Sequence, residues 1–224
     1  MQARDVPARC SIMDKKYIVG VDLGATNIKI GLLKKNKLIH KEVLPTQNFP
    51  SKALLISAIV ESIAGILCVC KIRKDMVLGV GLGLPGPIDF LKGTVHYFPN
   101  IKGWRDVPLR QIMKSKLGLP VWVDNDANLM CLAESRLGAA RGKKDVVGVT
   151  LGTGVGGGIL INGFLYRGSA FAAGEIGHMP INESGPLCNC GGKACLERYI
   201  GNRRIIEKAR KYFKRGISLE ELSV

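Results

Sequence analysis

One histidine and three cysteines lie close together in the second half of the sequence. They are His178, Cys188, Cys190 and Cys195, with the spacing H-x9-C-x-C-x4-C. Three thiolates and one imidazole form the tetrahedral donor set that zinc prefers in structural sites. The Gly, Pro, Ser and Asn residues between them favour a bent chain that brings the four side chains together. The alternative is that the cysteines are buried and bind no metal. Such cysteines usually lie on apolar faces, whereas these three lie in a polar, glycine-rich segment. The pattern therefore predicts a zinc site.

A second group of candidate residues could bind phosphate. The segment DLGATNIK (22–29) places Gly24 between Asp22 and Thr26. Glycine lets the backbone approach a ligand closely, and the amides of such a turn form an anion-binding concavity. The Thr26 hydroxyl can donate to a phosphate oxygen, and the Asp22 carboxylate can hold Mg2+ through water. A plain hairpin turn is the alternative interpretation.

The segment LGTGVGGG (151–158) is a stronger candidate, because it has five glycines between residues 152 and 158. So many glycines weaken the neighbouring strands unless a ligand needs bare backbone there. We interpret 152–158 as a turn that cradles phosphate, with a merely flexible hairpin as the alternative. A Walker-type loop and a dinucleotide-binding fingerprint are both disfavoured, since a predicted strand and not a helix follows the glycines. Two such turns could hold the phosphates of ATP from both sides.

Asp126 lies where a predicted short strand gives way to a helix, in the segment VDNDAN (123–128). A carboxylate there could take the proton of a substrate hydroxyl as that hydroxyl attacks phosphorus. The competing interpretation is that Asn125 or Asp126 only caps the helix. Phosphoryl transfer needs little else from a protein than positioning, Mg2+ and charge stabilisation.

The hydrophobic pattern places these candidates at the ends of short strands, and each half of the chain opens with a strand, a glycine turn and a strand. The predicted strands are an antiparallel meander over 17–23, 28–33 and 38–44, a buried strand at 76–84, and further strands at 121–123, 145–151 and 159–161. A hairpin turn is predicted at Asn162-Gly163. The predicted helices run from an N-cap at Ser51 to about Cys70, over 127–137, and from Cys195 to Phe213.

The composition restricts the possible partners. The chain has 224 residues and a net charge of +15, but only 6% of its residues are aromatic, so we interpret the basic residues as a solvated surface and expect no nucleic acid. Seven cysteines with a metal-binding pattern indicate a reducing compartment, and the first 16 residues lack the apolar core of a signal peptide. The apolar run 53–70 carries Glu61, which favours a mostly buried helix on a sheet over a membrane span. We expect a cytoplasmic protein, with Met1 or Met13 as its start.

Seven motifs stand in an order that resembles the ROK family of sugar kinases and repressors, in its glucokinase branch. They are DLGATNIK, LPGPID, PNIKGW, VDNDAN, LGTGVGGG, GEIGH and CNCGGKACLE, and the resemblance covers residues 17–202. It implies an α/β protein with the actin/sugar kinase/Hsp70-like (ribonuclease H-like) fold, in which two duplicated domains enclose a cleft. We place a tail at 1–16, an N-terminal domain at 17–124 and a second domain at 125–224.

The resemblance also implies a role for each matching position. Asp126 would be the general base. The sugar would be contacted by Gly86, Asn100, Asn125, Asp126, Glu175, His178 and Glu197. ATP and Mg2+ would be held by Asp22, Gly24, Ala25, Thr26, Asn27, Lys29, Gly152, Thr153, Gly154 and Gly156. Zn2+ would be structural, because four protein ligands leave no position for water, and it would hold the nearby sugar ligands in place. The structural set would be His178, Cys188, Cys190 and Cys195.

Two features depart from the family pattern. Ala194 stands where the family usually has glycine, so a positive φ there would cost about 1 kcal/mol. The family also continues past this end of the sequence, through helices, a strand and a glycine-rich turn that holds adenosine. The resemblance therefore implies a second domain that is truncated at its C-terminal end.

The expected function is ATP-dependent phosphorylation of a hexose, with glucose and glucose 6-phosphate as the favoured substrate and product. An N-acetylmannosamine or N-acetylglucosamine kinase, a polyphosphate-using enzyme and an inactive sugar-binding homologue are alternatives. A repressor is disfavoured, because only 21 residues precede Asp22 and a DNA-binding domain would not fit there. The resemblance also favours a homodimer.

Overall fold

The chain forms two compact α/β units in a computed structural model, and the division falls between Asp126 and Ala127. The structure describes residues 16–98, 101 and 103–212, apart from the side chain of Arg203. Asn100 and the end of the helix predicted to reach Phe213 lie outside the described residues. Each unit is built around its own β-sheet.

The first unit has a five-stranded sheet. Its strands are β1 (Tyr17–Leu23), β2 (Asn27–Lys34), β3 (Lys37–Pro45), β4 (Val77–Leu84) and β8 (Val121–Asn125), in the order β3-β2-β1-β4-β8. The first three strands are antiparallel, which confirms the predicted meander, and β4 and β8 continue the sheet in parallel to β1. Alternate residues of β1 are buried, as a sheet with two unlike faces requires.

The first helix, α1 (Lys52–Val69), confirms the predicted N-cap, because the Ser51 hydroxyl accepts a hydrogen bond from the Leu54 N–H at 3.3 Å. It packs on β2 and β3 through one apolar face, and only 39% of the helix is buried, less than the sequence suggested. It is long and apolar enough to cross a membrane by length and composition alone, but a core helix meets the same criteria. Six of its side chains lie in the core of the first unit.

A small second sheet and a short helix had no counterpart in the sequence prediction. The sheet consists of β5 (Ile88–Asp89), β6 (Thr94–Tyr97) and β7 (Arg105–Val107), and α2 (Leu109–Leu117) follows it. Strands of two to four residues are too short to show an alternating pattern. Contacts distant in sequence stabilise this region, such as the hydrogen bonds from the Arg110 guanidinium to the carbonyls of Phe90 and Leu91.

The second unit is built on a three-stranded antiparallel sheet. It contains most of α3 (Asp126–Leu137) and the strands β9 (Val146–Leu151), β10 (Val155–Ile161) and β11 (Phe164–Leu165), in the order β11-β10-β9. Asn162 and Gly163 have φ values of 53° and 80°, and they join the paired residues Ile161 and Phe164. This confirms the predicted hairpin turn, because both central residues of a type I′ turn need positive φ.

The prediction that all of 152–158 is a turn was wrong. Strand β10 already begins at Val155, so Gly156, Gly157 and Gly158 lie within a strand that pairs with β9. Their lack of a side chain has a packing reason. A Cβ at Gly158 would lie 2.6 Å from the Cys131 Cβ and 2.8 Å from the Ala127 carbonyl oxygen, so α3 lies directly on the strand. A Cβ at Gly157 would lie 2.3 Å from the Gly174 carbonyl oxygen on the other side.

The single helix predicted from Cys195 to Phe213 was also wrong. Two helices occupy the described part of this segment, α4 (Glu197–Ile200) and α5 (Asn202–Tyr212). Gly201 separates them with an extended backbone, φ −61° and ψ 146°. The periodic pattern of basic residues continues across this break, so the pattern alone could not reveal it.

The close contact between α3 and β10 leaves no room for a side chain at Gly158. We expect Gly158→Ala to lower the free energy of unfolding by about 1–3 kcal/mol, because the new methyl group meets backbone and Cβ atoms that cannot rotate away. Gly65→Ala in α1 is the matched control, since a Cβ there would have nothing within 4 Å. It should raise the free energy of unfolding by up to about 1 kcal/mol. Equal unfolding midpoints for the two variants in urea would refute this explanation of the glycine run.

Candidate functional site

The candidate residues of the first unit meet where parallel strands end. Asp22 of β1 is in register with Gly83 of β4, and Gly83 is in register with Asp124 of β8. The carboxyl ends of these strands therefore form one edge, which is where ligands bind in open α/β sheets. The Asp22 carboxylate is half exposed there and pairs with the Lys29 ammonium at 3.0 Å.

The first glycine loop has a shape fixed by the backbone. The Gly24 N–H donates to the Asn27 carbonyl at 3.0 Å, and a Cβ at Gly24 would lie 2.9 Å from that oxygen. Thr46 lies beneath the loop, only 3% exposed, with its hydroxyl donating to the Gly24 carbonyl at 2.9 Å and its N–H to the Thr26 carbonyl at 2.9 Å. Ala25 and Thr26 stay exposed at the tip. Sequence reasoning missed Thr46, because nothing in the sequence connects residues 22 positions apart.

Asn125, Asp126 and Gly86 lie along the same edge. Asn125 ends β8, Asp126 begins α3, and the Asn125 amide donates to the Gly86 carbonyl at 3.3 Å. Gly86 has φ +99°, and a Cβ there would lie 2.5 Å from the Tyr97 carbonyl oxygen, so the tight turn after β4 requires glycine. The first unit thus brings together the candidate base, two predicted sugar contacts and the first glycine loop.

The second glycine loop is the turn at 152–154, and the chain after Cys195 holds it on both sides. The Gly152 N–H donates to the Gly154 carbonyl at 2.9 Å, and the Asn202 N–H donates to the Gly152 carbonyl at 3.0 Å. The Glu197 carboxylate accepts a hydrogen bond from the Val155 N–H at 2.9 Å. A Cβ at Gly154 would lie 2.4 Å from the same carboxylate oxygen, so this glycine makes room for Glu197. The sequence assigned Glu197 to the sugar alone and gave Asn202 no role.

The four predicted metal ligands converge in the second unit. The ligand atoms of His178, Cys188, Cys190 and Cys195 all lie within 4.8 Å of one another. The His178 Nδ1 is 3.6 Å from the Cys188 Sγ, and the Cys190 and Cys195 Sγ atoms are 3.6 Å apart. A tetrahedral zinc ion with Zn–S bonds of about 2.3 Å would separate its sulfur ligands by about 3.8 Å. The donor set and its spacing therefore fit zinc.

Two short β-bridges fold the cysteine loop, residues 178–195, so that its four candidate ligands meet. Pro180 pairs with Cys195, and Leu187 pairs with Lys193. Ala194 is fully buried between them with φ +55°, so the positive φ suspected from the sequence is present at a non-glycine residue. The strain is tolerated in a segment that the bridges hold from both sides.

The electrostatics of the cysteine loop call for a cation. Burial, together with hydrogen bonds to the Cys190 and Cys188 thiols, raises the pKa of Cys195 to about 12. A backbone hydrogen bond at Gly192 lowers the pKa of Cys190. Three thiolates in so small a volume repel one another unless a metal ion neutralises them, and that ion must displace the Cys195 proton as it binds.

His178 connects the cysteine loop with Glu175. Its Nδ1 faces the cysteines, while its Nε2 lies 4.0 Å from the Glu175 carboxylate. Glu175 directly precedes the single helical turn Ile176–His178, so the two side chains are neighbours on one short segment. A metal ion on Nδ1 would fix the orientation of the ring and of Nε2.

Known proteins resemble this chain in sequence and in fold. The model of the ROK family matches residues 18–224. The glucokinase of Halalkalibacterium halodurans is 42% identical over 83% of this chain and 56% of that enzyme. The xylose repressor of Caldicellulosiruptor bescii is 35% identical over 91% of this chain and 51% of that protein. A crystal structure of a ROK family glucokinase from Streptomyces griseus in complex with glucose and AMPPNP matches with a TM-score of 0.76 and 36% identity.

The structural match covers 87% of this chain and 60% of the Streptomyces griseus protein, so the chain spans little more than half the length of these relatives. Over that part, its sheets and helices match the actin-like ATPase fold of ROK sugar kinases, which confirms the predicted fold class. The seven motifs, the fold and the match over residues 18–224 agree, and the chain belongs to the ROK family.

Proposed function

We propose that the protein takes part in ATP-dependent phosphorylation of a hexose, with glucose as the favoured substrate. The observation that carries the proposal is the placement of Asp126, Asn125 and Gly86 on the same strand edge as the first glycine loop. The identity to a glucokinase supports the same conclusion. The proposed reaction requires both glycine loops.

In the proposed reaction, the sugar hydroxyl oxygen attacks the terminal phosphorus of ATP and the bond between that phosphorus and the ADP oxygen breaks. The Asp126 carboxylate takes the hydroxyl proton. Backbone amides of the two glycine loops bind the phosphate oxygens, and Asp22 would hold Mg2+, which would supply further positive charge to the phosphates when bound. Asn125, Glu175 and the Nε2 of His178 orient the sugar by hydrogen bonds to its other hydroxyls.

The test is a coupled assay of glucose, mannose, fructose and N-acetylhexosamines, each with MgATP or polyphosphate. We expect the protein to phosphorylate glucose with ATP at the near-neutral pH of the cytoplasm. Folded protein that phosphorylates none of the sugars with either donor would contradict the proposal. Glucose binding without turnover would assign the chain to the inactive, sugar-binding alternative.

A sugar-responsive regulator is a second candidate, and the identity to a xylose repressor favours it. The kinase proposal predicts that the protein turns over a sugar and does not bind DNA specifically. Xylose-dependent binding of the protein to a DNA fragment would favour the regulator instead.

For the proposed reaction, the first prediction concerns the base. We expect Asp126→Asn to lower kcat about 10²–10⁴-fold, because an amide cannot accept the hydroxyl proton, while the Kd for glucose stays within about threefold. Asp75→Asn is the control, since Asp75 pairs with Arg73 on the surface of the first unit. The measurements are steady-state kinetics and glucose calorimetry. A variant that keeps most of its kcat would show that Asp126 is not the base.

The second prediction concerns the metal. We expect one zinc ion per chain by elemental analysis, lost in Cys190→Ser but kept in Cys68→Ser, which changes an exposed cysteine outside the cluster. Because the pKa of Cys195 is about 12 without metal, its thiol is protonated at lower pH and must release that proton when zinc binds. This one proton should lower the apparent zinc affinity about tenfold for each unit by which the pH falls. Equal zinc content in the two variants would refute the ligand set.

The third prediction separates the roles of the two glutamates. Glu197→Ala should raise the KM for ATP about tenfold or more, because the Val155 N–H loses its carboxylate partner and the glycine loop loses its support. Glu175→Ala should raise the KM for glucose and leave the KM for ATP unchanged. Glu183→Ala, in an exposed part of the cysteine loop, is the control. An unchanged KM for ATP in Glu197→Ala would show that Glu197 does not support ATP binding, and would leave it a role in sugar binding alone.

A further inference from the structure

His96 and Asp106 form a hydrogen-bonded pair in the small sheet of the first unit. His96 lies on β6 and Asp106 lies opposite it on β7, and the His96 Nδ1 is 2.7 Å from the Asp106 carboxylate. Asp106 has φ +48°, a left-handed conformation that is costly for residues other than glycine and is tolerated best by Asn and Asp. Because strained backbone of this kind collects near functional sites, the contacts of the pair are worth following.

Strand β6 supports the tight turn that follows β4. The His96 N–H donates to the Pro87 carbonyl at 3.0 Å. The next residue, Tyr97, has its carbonyl oxygen 2.5 Å from the position that a Cβ at Gly86 would take. Two consecutive residues of β6 therefore touch two consecutive residues of the turn, so the position of β6 determines the position of the turn.

The turn in its place orients Asn125. The Asn125 side-chain amide donates to the Gly86 carbonyl at 3.3 Å, and Asn125 directly precedes Asp126, the proposed base. Gly86 has φ +99°, which directs its carbonyl in a way that only glycine adopts readily. A displacement of β6 would thus move the acceptor of the Asn125 amide.

Apolar contacts also hold β6 and β7, but they act differently from the polar pair. Val95 pairs with Val107, and both side chains are buried in the core of the first unit. Burial of this kind stabilises without a preferred direction, whereas a hydrogen bond fixes a distance and an angle. The pair of His96 and Asp106 therefore contributes to the alignment of the two strands more than to their stability.

We infer that His96 and Asp106 are positioning residues for the proposed sugar site. Their contact aligns β6 with β7, β6 holds the turn at Gly86, and the Gly86 carbonyl orients the Asn125 amide beside the proposed base. Neither residue needs to touch the sugar or to transfer a proton. The inference rests on the proposed function, because it takes Asn125 as a sugar ligand.

The test compares single and double variants by kinetics and calorimetry. His96→Ala and Asp106→Ala should each raise the KM and the Kd for glucose about two- to fivefold, as expected for a partly exposed pair, with an unchanged KM for ATP. The double variant should bind glucose like Asp106→Ala alone, because both have lost the same contact. Asp106→Asn should bind like the unchanged chain, since its side-chain oxygen can still accept from His96. Asp75→Ala, which removes the surface partner of Arg73, is the control.

A second readout does not depend on turnover or on sugar. In NMR spectra of the sugar-free protein, the side-chain amide resonances of Asn125 should shift in His96→Ala and Asp106→Ala. They should keep their positions in Asp106→Asn and Asp75→Ala. Shifted Asn125 resonances in a chain that phosphorylates no sugar would support the positioning of Asn125 and contradict only the proposed function.

Three results would overturn the inference. The first is a set of Asn125 resonances that is unchanged in His96→Ala and Asp106→Ala. The second is a loss of stability in urea with an unchanged KM and Kd for glucose, which would show that the pair only stabilises the small sheet. The third is a double variant in which the two losses of affinity multiply, which would show that the residues act separately.

Discussion

The hydrogen bond from the Val155 N–H to the Glu197 carboxylate connects two parts of the second unit that the sequence keeps 42 residues apart. Glu197 stands two residues after the candidate metal ligand Cys195, and Val155 directly follows the second glycine loop. The Asn202 N–H holds the other side of that loop through the Gly152 carbonyl. The position of the second glycine loop therefore depends on the path of the chain that leaves the cysteine cluster.

In this arrangement, a metal ion in the cysteine cluster would have a wider role than shaping the proposed sugar-binding surface. A zinc ion on His178 and the three cysteines would fix Glu175 and the His178 ring before the cluster, and Glu197 after it. One ion that does no chemistry would then orient groups for both the sugar and the phosphate donor. In the first unit, the buried Thr46 fixes the first glycine loop through hydrogen bonds to the Gly24 and Thr26 carbonyls.

The sequence predicted features that depend on neighbouring residues. Ser51 caps α1 and Asn162-Gly163 turns the second hairpin, because capping and turn geometry are set within about four residues. The cysteine cluster was predicted because ligand chemistry is recognisable at short spacing. The glycines 156–158 were misassigned, because their reason is the close approach of α3 and Gly174, which no local pattern records. The break at Gly201 and the roles of Thr46 and Asn202 likewise arise from contacts between distant segments.

The central claim is that the metal cluster positions the second glycine loop through Glu197. Titration of zinc-loaded and zinc-stripped protein with AMPPNP, by calorimetry at one pH and one Mg2+ concentration, tests this claim directly. We predict that removing zinc weakens AMPPNP binding about tenfold or more and that restoring zinc recovers it. Equal affinities in folded protein, with and without zinc, would contradict the account.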